Sequence, residues 1–319
     1  MKGQASVTFQ VRGGIGNQLF MYAMARRLAL KNRVPLYLET ESGFNGDFFR
    51  RNYGLDQFHI AGEEVRRARR SQFRRRIAIA VSQMLPFRFR WFLREPDEGF
   101  ESRILSFKVA RPTFLEGYWQ NERYFADIDA VLRQDLTFSR QHRAANEKLA
   151  AEMRATESVA VHMRQLHGVP SGVDQPSATI ASLPAEYYRA AIVAIRERVP
   201  RAKLYTFSDS PSHAVLPIGE DDAVRVGNEG EEAQFEDLWL MSQCRHFVLA
   251  NSTFGWWGAW LGRTAQSVIV SPVMSEWGQR VSLPASWQAM EWRRGRGLEP
   301  RPTEWIEEAC GLGAGIGTR

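Results

Sequence analysis

The first forty residues alternate between the hydrophobic patterns of strand and helix. Val7, Phe9 and Val11 are separated by polar residues, which predicts a β-strand. A glycine-rich turn at residues 13–18 follows, and then a helix whose apolar face carries Leu19, Phe20, Ala23, Met24 and Leu28. A second apolar run, residues 34–38, predicts another strand. The chain therefore opens with a β-α-β unit.

The second half contains five short apolar segments with the length of buried strands, at residues 159–161, 204–207, 223–226, 247–249 and 268–270. Helical patterns separate most of them, at residues 186–198, 235–243 and 254–262. Because strands and helices alternate, we expect a parallel sheet that helices cover on both faces.

These patterns predict an α/β protein of two domains that meet near residues 140–156 with a cleft between them. The first domain, residues 1–145, is expected to carry a basic helical insertion after Glu63. The second, residues 146–319, is Rossmann-like. Ligands in such folds bind at the carboxyl ends of the parallel strands, so functional residues are expected there.

The composition is that of a globular protein, with 44% hydrophobic and 24% charged residues in 319. No segment approaches the roughly 18 consecutive apolar residues of a membrane span. The N-terminus lacks the apolar core of a signal peptide. Two cysteines, Cys244 and Cys310, are too few for a disulfide framework, so we expect a cytoplasmic protein.

Positive charge is concentrated in two stretches of a chain whose net charge is +6. Seven arginines lie between Arg66 and Arg76, and a second stretch, from Phe87 to Arg94, interleaves arginine with aromatic residues. Both stretches are consistent with a solvated helix face and a loop. Arginine beside aromatic residues also favours binding to an anionic membrane surface, peripherally on the inner membrane. Nucleic acid is not expected as a partner, because no nucleic-acid-binding motif accompanies the charge.

Unusual polar residues follow three of the predicted second-half strands. These are His162-Met163-Arg164, Ser208-Asp209 and Asn251-Ser252-Thr253. Ser252 and Thr253 begin a helix, and a capped helix N-terminus binds anions, most often phosphate. Arg164 suits a pyrophosphate because its planar guanidinium grips two oxygens and stays charged. Asp209 suits guanine, which offers two adjacent N–H donors.

Each of these residues also has a purely structural interpretation. Arg164 can pair with a carboxylate or a helix C-terminus, and Asp209 can cap the next helix. Ser252 and Thr253 can be ordinary helix caps, and the tryptophans that follow are better explained as core residues than as a ligand platform. The coincidence of all three loops favours a nucleotide-sugar site.

Three motifs extend this interpretation. They are Gly13-Gly14-Ile15-Gly16-Asn17-Gln18-Leu19-Phe20, His162-Met163-Arg164 and Asn251-Ser252-Thr253-Phe254-Gly255-Trp256-Trp257. In order and spacing they resemble the α-1,2-fucosyltransferase family, glycosyltransferase family 11 in its bacterial type, which uses GDP-fucose. The resemblance implies a GT-B-type fold of two Rossmann-like domains facing a cleft, with the acceptor on the first and GDP-fucose on the second. It also implies an inverting mechanism without a metal or other cofactor.

The resemblance further implies roles for individual residues. Arg164 would hold the pyrophosphate and stabilise the leaving GDP, and His162 would contact the same phosphates or orient the arginine. Asp209 would bind guanine. The phosphates and nucleoside would also be lined by Ser252, Thr253 and Phe254.

In the first domain, the resemblance implies that Asn17 contacts the fucose or the acceptor near the reacting carbon. Gly14, Gly16 and Gln18 belong to the same loop on the acceptor and fucose side. The structural alternative is a tight turn between strand and helix. A dehydrogenase is disfavoured, because the segment lacks the Gly-x-Gly-x-x-Gly pattern.

The chain departs from the family where a general base would be expected. The family usually has His-x-Arg-Arg-Gly-Asp, whereas this chain has His167 at the place of the aspartate. Neutral imidazole is a competent base near pH 7, so His167 is one candidate and Asp174 is another. A largely dissociative reaction needs little base, and Arg164 and Asn17 would then carry the catalysis.

We therefore expect inverting transfer of L-fucose from GDP-β-L-fucose to O2 of a terminal galactose. The acceptor would be a galactose-terminated, lipid-linked oligosaccharide of surface polysaccharide (O-antigen) biosynthesis. A GT-B enzyme with another sugar, acceptor or linkage remains an alternative. Non-enzymatic binding of a nucleotide sugar or RNA is a weaker one.

Overall fold

The computed structural model describes residues 4–47, 49–65, 72–97, 99–164, 183–208, 223–228, 232–273, 282–293 and 297–300. The chain divides into two compact units, Met1–Arg140 and Gln141–Arg319. Each unit contains one sheet flanked by helices, which confirms the predicted α/β class. None of the described helices combines the length and hydropathy that a membrane-spanning helix requires.

The first unit is built on a five-stranded parallel sheet in the order β3-β2-β1-β5-β4. Its strands are β1 (Ser6–Gln10), β2 (Leu36–Glu39), β3 (Glu63–Val65), β4 (Phe92–Arg94) and β5 (Pro112–Glu116). Its helices are α1 (Ile15–Asn32), α2 (Gln72–Met84) and α3 (Asp129–Asp135). The central strand β1 pairs with both neighbours, since Val7 lies opposite Leu36 and Thr113. The predicted β-α-β opening is confirmed.

Helix α1 is buried on most of its surface because its sequence is apolar nearly all round. It ends where Arg33 adopts a left-handed conformation at φ 54°. Two polar side chains of α1 bond to Asp135 of α3, at 2.7 Å from the Tyr22 hydroxyl and 2.7 Å from the Arg26 Nε. These bonds join the first helix of the unit to its last, and so fix the position of α1 at the end of β1.

The region after Glu63, for which a basic helical insertion was predicted, also contributes two strands to the sheet. In its described part, β3 and β4 are the two edge strands of the sheet, and α2 lies between them in the chain. Phe92 and Leu93 are buried in β4, so they are core residues and are not available to a membrane surface. Sequence patterns missed both strands because three residues are too few to show a period.

The second unit contains a seven-stranded sheet in the order β12-β11-β10-β9-β6-β7-β8. Its strands are β6 (Ser158–Met163), β7 (Lys203–Ser208), β8 (Ala223–Val226), β9 (His246–Val248), β10 (Ile269–Val273), β11 (Gln288–Arg293) and β12 (Gly297–Pro300). Its helices are α4 (Ala144–Ala155), α5 (Ala185–Arg198), α6 (Ala233–Ser242) and α7 (Thr253–Gly262). All strand pairs are parallel except β11 with β12. The five predicted strands and three predicted helices of this half are confirmed.

Strand β6 is buried along its whole length and faces helices on both sides. Val159, Val161 and Met163 belong to the core cluster that α5 also lines. Because strand side chains alternate between faces, His162 points to the other side, where it meets α7. On the α5 side, the Tyr187 hydroxyl donates a 2.7 Å hydrogen bond to the Leu249 carbonyl, which holds the end of β9.

Candidate active site

The start of α7 is a capped helix N-terminus at the carboxyl end of β9. Ser252 is the N-cap, with extended backbone, and its Oγ accepts a 3.3 Å hydrogen bond from the Phe254 N–H. Thr253 and Phe254 are half-buried, so a ligand can reach them. The first-turn amides of a helix have no intrahelical acceptors, and the helix dipole is positive at this end. The N-terminus of α7 therefore favours the binding of an anion.

Aromatic packing holds this helix rigidly. Trp256, Trp257 and Trp260 are almost fully buried, and the rings of consecutive pairs lie 5.1 Å apart. On another side of the helix, Gly258 lies against Met241 of α6. The tryptophans are therefore core residues, as expected, and they fix the direction in which the first turn points.

His162 lies beneath the first turn of α7. Its ring centroid is 5.6 Å from that of Phe254, and only the lack of a side chain at Gly255 leaves room for it. A Cβ atom on Gly255 would stand 2.6 Å from the His162 Nδ1. Burial, together with the nearby charge of Arg164, lowers the pKa of His162 to about 3. The imidazole is therefore neutral at physiological pH.

Arg164 follows β6 directly and brings a positive charge to the same place. It is half-buried, and its charge is close enough to contribute to the low pKa of His162. The alternation of β6 side chains also directs residue 164 to the face that His162 occupies. The structure thus brings together Arg164, His162, Ser252 and Phe254 at the carboxyl edge of the sheet of the second unit.

Three of the predicted site residues lie outside the described residues: Asp209, His167 and Asp174. Asp209 directly follows Ser208, the last residue of β7, which pairs with Met163 of β6. The strand that precedes Asp209 is therefore the neighbour of the strand that precedes Arg164.

The glycine-rich loop of the first unit connects β1 to α1. Gly13 has a φ of +76°, a backbone conformation that side chains disfavour, and Gly14 is the N-cap of α1. Gly16 is buried in the first turn. Asn17 is half-buried, and its Oδ1 accepts a 2.8 Å hydrogen bond from Gln120 Nε2. Asn17 therefore presents an amide at the carboxyl end of the central strand.

Gln18 is buried and bonds to protein groups at both ends of its amide. Its Nε2 donates 2.9 Å bonds to the carbonyls of Gly13 and Asn52, and its Oε1 accepts from the Gly54 N–H at 3.0 Å. This pattern gives Gln18 a supporting role: it holds the loop that presents Asn17.

Two polar groups were not found from the sequence. Glu95, just after β4, accepts hydrogen bonds from the backbone of the loop that follows β5. Asp237 of α6 is the second: burial raises its pKa to about 6, although Asn228 Nδ2 donates a 2.7 Å hydrogen bond to it. Glu95 follows a strand end and Asp237 lies within a helix, and single acidic residues at such positions are too common to be predictive.

Comparison with known proteins identifies the family. The model of glycosyl transferase family 11 matches residues 93–293, more than half of the chain. An α-1,2-colitosyltransferase of Escherichia coli is 27% identical over 307 residues, which cover 94% of this chain and 98% of that protein. The O-antigen biosynthesis glycosyltransferase WbnK of Escherichia coli is 27% identical over 293 residues, which cover 82% of this chain and 91% of that protein.

Among solved structures, the fucosyltransferase NodZ from Bradyrhizobium has a TM-score of 0.49 at 14% identity, covering 94% of this chain and 99% of that one. Each of the two units has a sheet of mainly parallel strands flanked by helices, as the predicted α/β fold of two domains requires. With its three motifs and the family match over residues 93–293, the chain belongs to glycosyltransferase family 11, the fucosyltransferase-like family, and is a glycosyltransferase.

Proposed function

We propose that this enzyme transfers L-fucose from GDP-β-L-fucose to O2 of a terminal galactose, with inversion, in the assembly of O-antigen. The observation that carries the proposal is the convergence of Arg164, Ser252 and the N-terminus of α7 at one sheet edge. Two sources of positive potential at one point suit a diphosphate. The fucosyltransferase-like family membership makes a GDP-sugar the natural source of that diphosphate.

The chemistry breaks the bond between the anomeric carbon and the diphosphate oxygen, and forms one to the acceptor oxygen. Negative charge builds on the leaving GDP while positive charge builds on the sugar ring. Arg164 and the α7 amides would stabilise the departing diphosphate, because positive charge and helix amides lie at the same sheet edge before reaction. The acceptor proton passes to a base, for which His167 and Asp174 remain the proposed candidates, or to solvent.

His162 is unsuited to be that base. A conjugate-acid pKa of about 3 makes it a poor proton acceptor at neutral pH. Its burial against Gly255 instead indicates a role in setting the position of the first turn of α7 relative to β6. This role differs from the two that the resemblance implied, which were contact with the phosphates and orientation of Arg164.

A colitosyl donor is the specific alternative. It is favoured by the α-1,2-colitosyltransferase that aligns with 94% of this chain. Colitose is the 3-deoxy form of L-fucose, so the two donors would share the diphosphate contacts and differ at one hydroxyl. Side-by-side assays with GDP-fucose and GDP-colitose, with a UDP-sugar as control, decide between them.

We also propose that no metal or cofactor is required. Arg164 and the helix terminus can supply the charge stabilisation that a divalent cation supplies in other glycosyltransferases. Three further residues of the second unit are proposed to bind the GDP-sugar. Asp209 would bind guanine, and Thr253 and Phe254 would contact the phosphates and the nucleoside.

The proposed location is the cytoplasmic face of the inner membrane, where a lipid-linked acceptor would be met. Helix α2 supports this location, since Ile77, Val81 and Met84 share one face and all are exposed, Met84 by 85%. Arg76 is exposed beside this stripe, and past the helix Arg88 lies over the exposed ring of Phe89 at 4.7 Å. Apolar side chains beside arginines suit the interface of an anionic bilayer.

Vesicle sedimentation tests the location. We expect salt-reversible binding to vesicles that contain anionic lipid and none to zwitterionic ones. Exchanging Val81 and Met84 for serine should weaken binding, whereas Val193→Ser, at an exposed apolar position on α5, should not. If the wild type, the Val81 and Met84 variant and Val193→Ser bound anionic vesicles equally, the proposed membrane surface would be contradicted. Self-association through α2 in place of vesicle binding would contradict it as well.

The catalytic proposal is tested with Arg164→Ala and Arg164→Lys. The alanine variant should lose transfer by about 100-fold or more while retaining its unfolding temperature, and lysine should restore part of the rate. Substantial turnover by Arg164→Ala would contradict the proposal that Arg164 stabilises the leaving diphosphate.

A further inference from the structure

The amide of Asn17 is held in one orientation by a residue of the loop that follows β5, the strand next to β1 in the sheet. Gln120 Nε2 donates a 2.8 Å hydrogen bond to Asn17 Oδ1, across 103 positions of sequence. An amide has a donor end and an acceptor end, so a partner at Oδ1 decides where the Nδ2 donors point. Asn17 sits in the first turn of α1, at the carboxyl end of the central strand β1.

Gln120 is itself held in place by the carboxylate of Glu95. It is buried, and its backbone N–H donates to Glu95 Oε1 at 3.2 Å, while the Tyr118 N–H donates to Glu95 Oε2 at 2.6 Å. The Glu95 backbone N–H in turn bonds to the Glu116 carbonyl at 2.8 Å. One carboxylate thus fixes the whole loop between Tyr118 and Gln120.

The same loop has an unusual backbone. Gly117 has a φ of +143°, and a Cβ there would stand 2.3 Å from the Glu95 Cβ. Trp119, a bulky residue, has a φ of +59°, although it is almost fully buried. Left-handed conformations of this kind are unfavourable for residues with side chains and persist where surrounding contacts enforce them, often at functional sites. The loop is therefore shaped to put Gln120 against Asn17.

We propose that Gln120 is a positioning residue for transfer: it orients the Asn17 amide so that Nδ2 donates to the sugar at the reacting centre. The inference rests on the proposed function, in which Asn17 contacts the fucose or the acceptor. Glu95 and the loop after β5 keep Gln120 in place. Removing the donor of Gln120 leaves the fold intact but releases the orientation of Asn17.

The experiment is a double-mutant cycle on the full chain, with GDP-fucose and a soluble galactoside. Gln120→Glu keeps the shape of the side chain but presents acceptors only, so Asn17 must turn its Nδ2 toward it. We expect kcat to fall about tenfold with little change in KM for GDP-fucose, since ground-state binding is not touched. In the Asn17→Ala background, the same change should have almost no further effect.

A matched control is Gln83→Glu. Gln83 belongs to the same unit and makes a 3.0 Å amide hydrogen bond to the Phe92 carbonyl, so its loss tests a purely structural amide. It should leave kcat unchanged. All variants are compared by thermal unfolding.

Three results would overturn the inference: unchanged kcat in Gln120→Glu, an equal effect of Gln120→Glu in both backgrounds, or wild-type kcat in Asn17→Ala. In each of these cases the wild type still transfers fucose and the proposed function stands. A wild type that transfers from no GDP-sugar refutes the proposed function, and the positioning role with it.

Discussion

The contact between His162 and Gly255 leads to a quantitative prediction for Gly255→Ala. The added Cβ would stand 2.6 Å from His162 Nδ1 and 3.1 Å from its Cγ, and the ring is buried. Contacts of this kind are normally about 3.5 Å or longer, so the first turn of α7 or the ring must move by nearly 1 Å. Overpacking destabilises a folded protein by about 1–3 kcal/mol, whereas alanine stabilises a helix by about 1 kcal/mol relative to glycine.

The difference between the two terms is a destabilisation of up to about 2 kcal/mol for Gly255→Ala. GDP affinity should fall about tenfold or more, because the amides that we propose as diphosphate ligands move with the helix start. Chemical denaturation measures the first effect and isothermal titration calorimetry the second.

Gly258→Ala is the control in the same helix. Its Cβ would meet the Met241 Cε at 2.9 Å, the end of a flexible side chain that can move aside. This variant should bind GDP as the wild type does. If Gly255→Ala also retains wild-type stability and GDP affinity, the argument that His162 positions the helix start is wrong.

Three further predictions follow from single groups. Burial raises the pKa of Asp237 to about 6, so the folded state keeps a proton that the unfolded state has lost, and stability falls as pH rises from about 4 to about 6. In urea unfolding, the free energy of unfolding of Asp237→Asn should therefore equal that of the wild type near pH 4 and exceed it by about 3 kcal/mol near pH 8; a difference that does not change with pH would contradict this. Ser252→Ala should lose about 1 kcal/mol of stability with its cap bond to Phe254, and Ser252→Gly only a few tenths; equal losses would argue against the cap. Chelation with EDTA should leave transfer unchanged, and a rate that falls with EDTA and returns with Mg²⁺ would refute metal independence.

Much of the fold could be predicted because its central elements are strongly patterned. β6, β7, β9 and β10 are buried and contain continuous apolar runs, and α7 begins with a cap and continues with tryptophans at helical spacing. These local signals coincide with the tertiary structure, so the parallel sheet of the second unit followed from them.

The edges of both sheets could not be predicted in the same way. β3 and β4 have three residues each, and β12 is an antiparallel edge strand of four. Such strands are defined by their pairing partners rather than by their own sequences. In the basic region, a helix was predicted and α2 lies there, whereas β3 and β4, which flank α2 in the chain, have no local signal.

The candidate site shows the same division. Ser252 and Arg164 could be predicted because caps and strand-end arginines have local signatures. The Nδ1 of His162 against Gly255, and Gln120 against Asn17, depend on contacts between residues far apart in sequence. Long-range contacts of this kind have no local pattern, so only the structure reveals them.

The central claim is that this enzyme transfers a sugar from a GDP-linked donor. The most direct measurement is incubation with GDP-fucose, GDP-colitose and a UDP-sugar over a panel of galactose-terminated glycans, followed by NMR analysis of the linkage. We predict an α-1,2-linked product from a GDP-sugar. Transfer from the UDP-sugar alone, or retention of the β-configuration of the donor, would contradict the account.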